Sequence, residues 1–331
     1  MKDGVRAATA TVADRTGNGK PGDGNTQQRR TEQRATVERT PRGILIGSVL
    51  TLLGGALWGV NGTVSKILMD SYGLSPEWIA CVRQLAAGAI FLVCAAIATP
   101  RLLAGAVRDR HSWPGFLSSA LVCVLLVQVA YLNSINATNS GTATVLQALN
   151  LLFVLLYTCV RSRRGPRVRE TVGVALALAG VMLIATGGNL GTLSLPVAGL
   201  AWGLVNALST AALPIMPLKL IARWGAFTVN GIMFVVSGLA MLPFVRPWAS
   251  VPPLDATGWG LIAFTVVGGT FGAFWLFLVG SAKAGPMRAT MLGTVEPVMA
   301  TVSAAWWTAA VFTPTDLTGF ALIIVMVFLI R

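Results

Sequence analysis

The stretch ILIGSVLTLLGGALWGVNGTVSKILM, residues 44–69, runs for 26 residues with a single charge, Lys66, and no acid. At a rise of 1.5 Å per residue, a helix of that length outreaches the roughly 30 Å hydrocarbon core of a bilayer. Its centre, Gly55-Ala56-Leu57-Trp58-Gly59, returns as Gly199-Leu200-Ala201-Trp202-Gly203. A second pair, Ala143-Thr144-Val145-Leu146 and Ala289-Thr290-Met291-Leu292, recurs at an offset only two residues different. One duplication accounts for both pairs.

Working outward, the 331-residue chain is 54% hydrophobic and 11% charged, against about 25% charged in soluble domains. That composition predicts a polytopic membrane protein. Apolar runs place ten spans at roughly 44–69, 77–99, 114–133, 141–160, 171–187, 195–218, 226–245, 258–280, 286–311 and 316–330, each near the length a bilayer requires. Loops expected on one side carry Arg101, Arg108, Arg110, Arg161, Arg163, Arg164, Arg167, Arg169, Lys219, Arg223, Lys283 and Arg288, with Arg331 ending there too. The opposite loops hold Asp70, Glu77, Asp255 and Asp316, with Arg246 as their clear basic residue. The positive-inside rule then puts both termini in the cytoplasm. Five spans per half is an odd number, so the two copies face opposite ways, as in many secondary transporters. The expected fold is therefore all-α integral membrane, with ten transmembrane helices as two inverted five-helix repeats, residues 44–190 and 191–331.

Residues 1–43 contain 9 of the 25 basic residues and almost no large apolar side chain, a composition that predicts a disordered basic cytoplasmic tail. The net charge of +13 thus reflects tail and loops. With no basic stripe interleaved with aromatics, nucleic-acid binding is not expected. Cys81, Cys94, Cys123 and Cys159 lie singly in apolar segments and read as buried small hydrophobes, not as a disulfide framework or metal site. No nucleophile with a base, carboxylate pair or cofactor loop can be assembled, so neither an enzyme nor a cofactor is expected.

Several longer strings resemble the EamA family of the drug/metabolite transporter superfamily. They are Gly54-Gly55-Ala56-Leu57-Trp58-Gly59-Val60-Asn61-Gly62-Thr63-Val64, Ser75-Pro76-Glu77-Trp78 with Arg83, Asn139-Ser140-Gly141-Thr142-Ala143-Thr144-Val145-Leu146-Gln147, and Glu296-Pro297. The resemblance covers nearly everything from Ile44 onward and is nearest to a branch with bacterial choline-uptake transporters. It departs in two places. Ala148-Leu149-Asn150-Leu151 stands where the family usually has a proline, so Asn150-Leu151 faces Glu296-Pro297 in the repeat alignment. Val311-Phe312-Thr313-Pro314 stands where many members carry Gly-Glu.

Glu296 falls near the middle of the ninth span, where an acid is costly unless paired or hydrated. It reads as a proton-coupling group or counter-charge for a cation, or alternatively as a structural partner of Lys66 or Arg83. Pro297 should leave a carbonyl one turn back without its usual donor. Lys66 and Arg83 are gate or ion-pair candidates, and Lys66 can also reach Asp70 at i+4. Trp58 with Trp202, and Tyr131 with Trp275, occupy matching places in the two halves. They would form a cation–π box if they converged and are packing aromatics otherwise, while Trp306 and Trp307 read as interfacial. Asn61, Gln147, Asn150 and Asn206 need hydrogen-bond partners in an apolar core and complete the expected substrate site. Gly55/Gly59 and Gly199/Gly203 allow close helix approach.

The resemblance implies a secondary transporter in a bacterial plasma membrane, surrounded by lipid. Its solute would be a small organic cation or zwitterion such as choline, with the proton as coupling ion. Export of amino acids or related metabolites is the alternative within transport. A membrane sensor or scaffold that moves nothing is the alternative outside it.

Overall fold

A computed structural model describes residues 41–189, 193–249 and 253–330. The expected tail, apart from residues 41–43, lies outside the described residues. Those residues are helical throughout their ordered elements, with no strand among them.

The first half holds α1 (Pro41–Tyr72), α2 (Pro76–Ala98), the short α3 (Pro100–Arg108), and α4 (Trp113–Ser119) continuing through a π-wound stretch, Ala120–Leu126, into α5 (Val127–Ala137). It closes with α6 (Ser140–Gln147), α7 (Asn150–Arg161) and α8 (Val168–Thr186). The second half repeats the plan. It has α9 (Val197–Ala212), the short α10 (Leu218–Trp224), α11 (Ala226–Val245), and α12 (Ala256–Ala263) continuing through the π-wound stretch Phe264–Gly272 into α13 (Ala273–Ala284). It ends with α14 (Pro286–Leu292), α15 (Val295–Trp307) and α16 (Pro314–Ile330).

Among the described residues, seven helices are long and apolar enough to cross a membrane: Pro41–Tyr72, Pro76–Ala98, Trp113–Ala137, Ser140–Arg161, Val168–Thr186, Ala226–Val245 and Ala256–Ala284. Three of the expected spans fall short of that measure. The sixth is the 16-residue α9, the tenth is the 17-residue α16, and the ninth is divided into α14 and α15 because regular winding stops at Gly293-Thr294. Exposed apolar side chains such as Val93, Ile97, Leu156, Phe244 and Val311 face outward, as lipid contact requires.

Helix starts follow local chemistry. Ser75 caps α2 by accepting from Trp78 N at 3.1 Å, ahead of Pro76; Asn139 caps α6 by accepting from Thr142 N at 2.8 Å; Asp255 caps α12 by accepting from Gly258 N at 2.7 Å. Each side-chain oxygen satisfies a donor that a helix N-terminus otherwise leaves bare.

The packing maps onto itself when the halves are exchanged. Helix α1 lies on α13 and α15, as α9 lies on α5 and on α6–α7; α2 packs on α11, α8 on α16, and α6 on α15. The two π-wound stretches occupy matching places in the third helices of their halves. Small residues allow the closest crossings. A Cβ on Gly59 would collide with the Glu296 carbonyl oxygen, and one on Gly203 would lie 2.6 Å from Leu146, so each first-helix glycine seats against the broken helix of the opposite half. At one end of the bundle, Asp109 joins the halves through Arg223 at 3.0 Å, and also accepts from Ser112 Oγ at 2.8 Å and His111 N at 3.2 Å.

Candidate functional site

The two helix breaks meet. The α6–α7 and α14–α15 junctions, with one face of α16, enclose a cavity of about 110 Å³, enough for a few water molecules or a small polar group. Its polar wall is Thr144, Gln147, Asn150, Thr294 and Glu296, and its apolar wall includes Val145, Ala148, Leu151, Pro297, Ile323 and Val327.

The α6–α7 break forms without a proline. Hydrogen bonds tighten to i→i+3 as Leu149 N reaches Leu146 O at 3.1 Å, Leu151 N reaches Ala148 O at 3.3 Å and Leu152 N reaches Leu149 O at 2.9 Å. The carbonyl of Gln147 is thereby left without its usual backbone donor, and Asn150 Nδ2 supplies one at 2.8 Å. On the other side Pro297 has no N–H to give. Gly293 O takes its hydrogen bond from Glu296 N at 3.1 Å, so the carbonyl expected to be free has found a donor.

Glu296 lines this cavity and is paired with neither expected cation. Lys66 is held by Asp70 Oδ1 at 3.1 Å and by the Asn136 carbonyl at 3.0 Å. Arg83 donates from Nη2 to the side-chain oxygen of Gln128. No ion pair to Glu296 exists among the described residues. Opposite it, Asn206 Nδ2 donates to Gln147 Oε1 at 2.9 Å, and Thr210 Oγ1 donates to Asn206 Oδ1 at 3.2 Å. This chain of neutral dipoles runs from α9 to the cavity wall. Gln147, Asn150 and Glu296 thus converge, with Asn206 one bond behind.

Tyr131 stands just outside, sharing a 2.8 Å hydrogen bond with Thr144 Oγ1. The other aromatics do not join it. Trp58 packs on Phe277 at 5.0 Å between ring centroids, Trp275 packs into the Phe91 cluster, and Trp202 makes no ring contact among the described residues. Asn61 reaches across to the π-wound stretch of the second half, donating to Gly269 O at 3.3 Å.

One feature of the site carries little sequence signal. Thr63 Oγ1 shares 2.7 Å hydrogen bonds with both Ser140 and Ser303, and Ser140 Oγ also donates to Ala300 O at 3.2 Å. Helices α1, α6 and α15 are joined beside the cavity by three hydroxyls that sequence alone does not distinguish from other small residues in apolar runs. Thr63, one turn after Gly59, and Ser140, next to Asn139, lie inside the strings that carry the family resemblance, whereas Ser303 has no such mark.

Comparison with known proteins bears on this arrangement. The model of the EamA-like transporter family matches twice, over residues 45–186 and 197–331. An uncharacterized inner membrane transporter of Salmonella typhimurium, YicL, is 29% identical over 286 residues, which span 86% of this chain and 94% of that protein. An uncharacterized transporter of Bacillus subtilis, YwfM, is 22% identical over 84% of this chain and 90% of its own length. An uncharacterized inner membrane transporter of Escherichia coli K12, YedA, is 27% identical over 77% of this chain and 80% of its own length. One solved crystal structure superposes with a TM-score of 0.58 at 16% identity, over 85% of this chain and 96% of the other, a likeness of fold.

Proposed function

Because the chain belongs to the EamA-like transporter family, we propose that it is a secondary active carrier in a bacterial plasma membrane. It moves a small organic cation or zwitterion, and Glu296 couples that movement to protons. The frame of the proposal is ten transmembrane helices in two inverted repeats with both termini cytoplasmic. The double family match, the self-mapping helix packing and the separation of basic from acidic loops support that frame. Inner membrane placement follows the printed names of two relatives.

The observation that carries the function is Glu296 facing a cavity at the meeting of two helix breaks, without a cation of its own. A carboxylate there can hold either a proton or an ammonium group, and those two occupants exclude each other. Competition for one acid is the minimal chemistry of proton exchange. The acid on α15 and the amides on α6–α7 would let each half hold one side of a bound solute, as inverted-repeat carriers do at the bilayer midplane.

The cavity wall is carboxylate, amide and hydroxyl, with no aromatic ring among its lining residues. This favours an ammonium bearing N–H donors over a quaternary one, and so supports amino acids or related metabolites as a second solute class beside choline.

The test is flux into liposomes containing the purified protein, using labelled choline and labelled amino acids, with and without an inward proton gradient. Saturable, gradient-driven uptake that disappears in Glu296→Gln is expected. Gradient-driven flux unchanged by Glu296→Gln would overturn the coupling role. Absence of flux from folded protein would favour a sensor or scaffold.

A further inference from the structure

Arg83 has no explanation in the cavity so far described. The residue is 2% exposed, its Nη2 donates to the neutral side chain of Gln128, and its Nε has no hydrogen-bond partner. No carboxylate pairs with it among the described residues. A guanidinium cannot shed its charge, and a buried, unpaired cation within a membrane protein is costly enough to mark a functional position. Gln128 replaces one hydrogen bond of hydration and none of the missing negative charge.

The surroundings connect this cation to the cavity. Gln128 lies one helical turn before Tyr131 on the same helix, roughly 5 Å along the axis. The Tyr131 hydroxyl is bonded to Thr144 in the cavity wall at 2.8 Å. Gly62 of α1 seats against the Tyr131 hydroxyl, where a Cβ would approach to 2.7 Å. The preceding residue, Asn61, is buried with its Oδ1 unpartnered. Two hydrogen-bonded pairs one helical turn apart on α5, Arg83–Gln128 and Tyr131–Thr144, therefore lead from the buried guanidinium toward the cavity wall that Glu296 shares. The planar fork of a guanidinium matches a carboxylate in a way that a point charge does not.

We propose that Arg83 is the anion-binding end of the solute path, receiving the carboxylate of a zwitterion whose ammonium end is held at Glu296. The inference rests on the Glu296 reading and narrows it from cations in general to amino-acid-like zwitterions. Choline, which has no carboxylate, would use only half of the site.

The test is binding to the full-length protein in lipid nanodiscs, with a panel of α- and γ-amino acids, the methyl ester of each, and choline. The acids should bind at least about tenfold more tightly than their esters, a difference of roughly 1.4 kcal/mol. Arg83→Gln should lower acid affinity far more than ester affinity and so remove most of that preference, and Arg83→Lys should restore part of it. Esters binding as well as acids to the unaltered protein would overturn the proposal, whether or not the glutamine variant folds. Equal loss for acids and esters in folded Arg83→Gln would also overturn it, since that is the mark of a structural role. Choline or ester binding that depends on Glu296, with no acid bound, would sink the Arg83 inference and leave the Glu296 reading standing. Failure of every probe would remove both.

Discussion

Replacing Leu151 by proline should harm this protein far less than the same replacement five residues later. Proline inside a helix ordinarily costs about 3 kcal/mol, because it deletes a hydrogen bond and its ring meets the carbonyl four residues back. At Leu151 both costs are already partly met. Its N–H makes only a 3.3 Å bond to Ala148 O, and the carbonyl four back, that of Gln147, has its hydrogen bond from Asn150 Nδ2. Leu151 also lies in the first turn of α7 (Asn150–Arg161), where proline is tolerated. Losing one weak hydrogen bond and part of a half-buried side chain comes to about 1–2 kcal/mol. Leu156 lies in the interior of α7 and is 62% exposed, so Leu156→Pro loses little packing and incurs the full backbone cost of about 3 kcal/mol or more. Thermal unfolding of both variants in one detergent, followed by size-exclusion of the folded fraction, measures the difference. Leu151→Pro should retain most of the wild-type midpoint and Leu156→Pro should lose much more. Equal midpoints, or a lower one for Leu151→Pro, would refute the account of the break.

Two further predictions concern packing and charge. Gly59→Ala would press a methyl group into the Glu296 carbonyl and to 2.8 Å from Ala300 N, whereas Gly260→Ala meets nothing within 4 Å. The first should lower the unfolding midpoint, and the second should leave it unchanged or raise it through a helix-propensity gain of about 1 kcal/mol; the reverse order would show that α15 yields freely. The Ser112 hydroxyl, then Arg223 and the His111 N–H, hold Asp109 below the usual carboxylate range. Because the folded value is the lower one, the stabilisation is complete above the unfolded value near ~3.9 and fades as pH falls through the folded value. The midpoint gap between wild type and Asp109→Asn should therefore be widest at neutral pH and close below about pH 4; a gap independent of pH would remove the charge from the explanation.

What could be read from sequence was whatever leaves a periodic or electrostatic trace. The pairing of Gly55/Gly59 with Gly199/Gly203 marked corresponding helices, and the structure seats Gly59 and Gly203 each against a broken helix of the other half, while Gly199 meets Ala137 and Thr138 at the end of α5. Lys66 and Asp70 were four residues apart and are bridged. Gln147, Asn150 and Glu296 stood out because polar groups in apolar runs must be satisfied, and they share a wall. Other features leave no such trace. The π-wound stretches contain ordinary apolar residues whose altered winding comes from tertiary packing, and Thr63, Ser140 and Ser303 look like small-residue packing until three helices bring their hydroxyls together. The matching of Trp58 with Trp202 identified equivalent positions, but equivalence under a two-fold relation does not make two side chains meet.

The two breaks that frame the cavity are made from unlike materials. The one before Val295 cannot heal, since Pro297 has no hydrogen to return to Gly293. At the other, every backbone N–H is still present, so rewinding from i→i+3 to i→i+4 bonds would return Leu151 N to the Gln147 carbonyl once the Asn150 amide withdrew. One junction is thus a permanent elbow and the other a latch. The two halves, alike in plan, need not bend with equal ease: one break is set by covalent structure and the other by a few exchangeable hydrogen bonds.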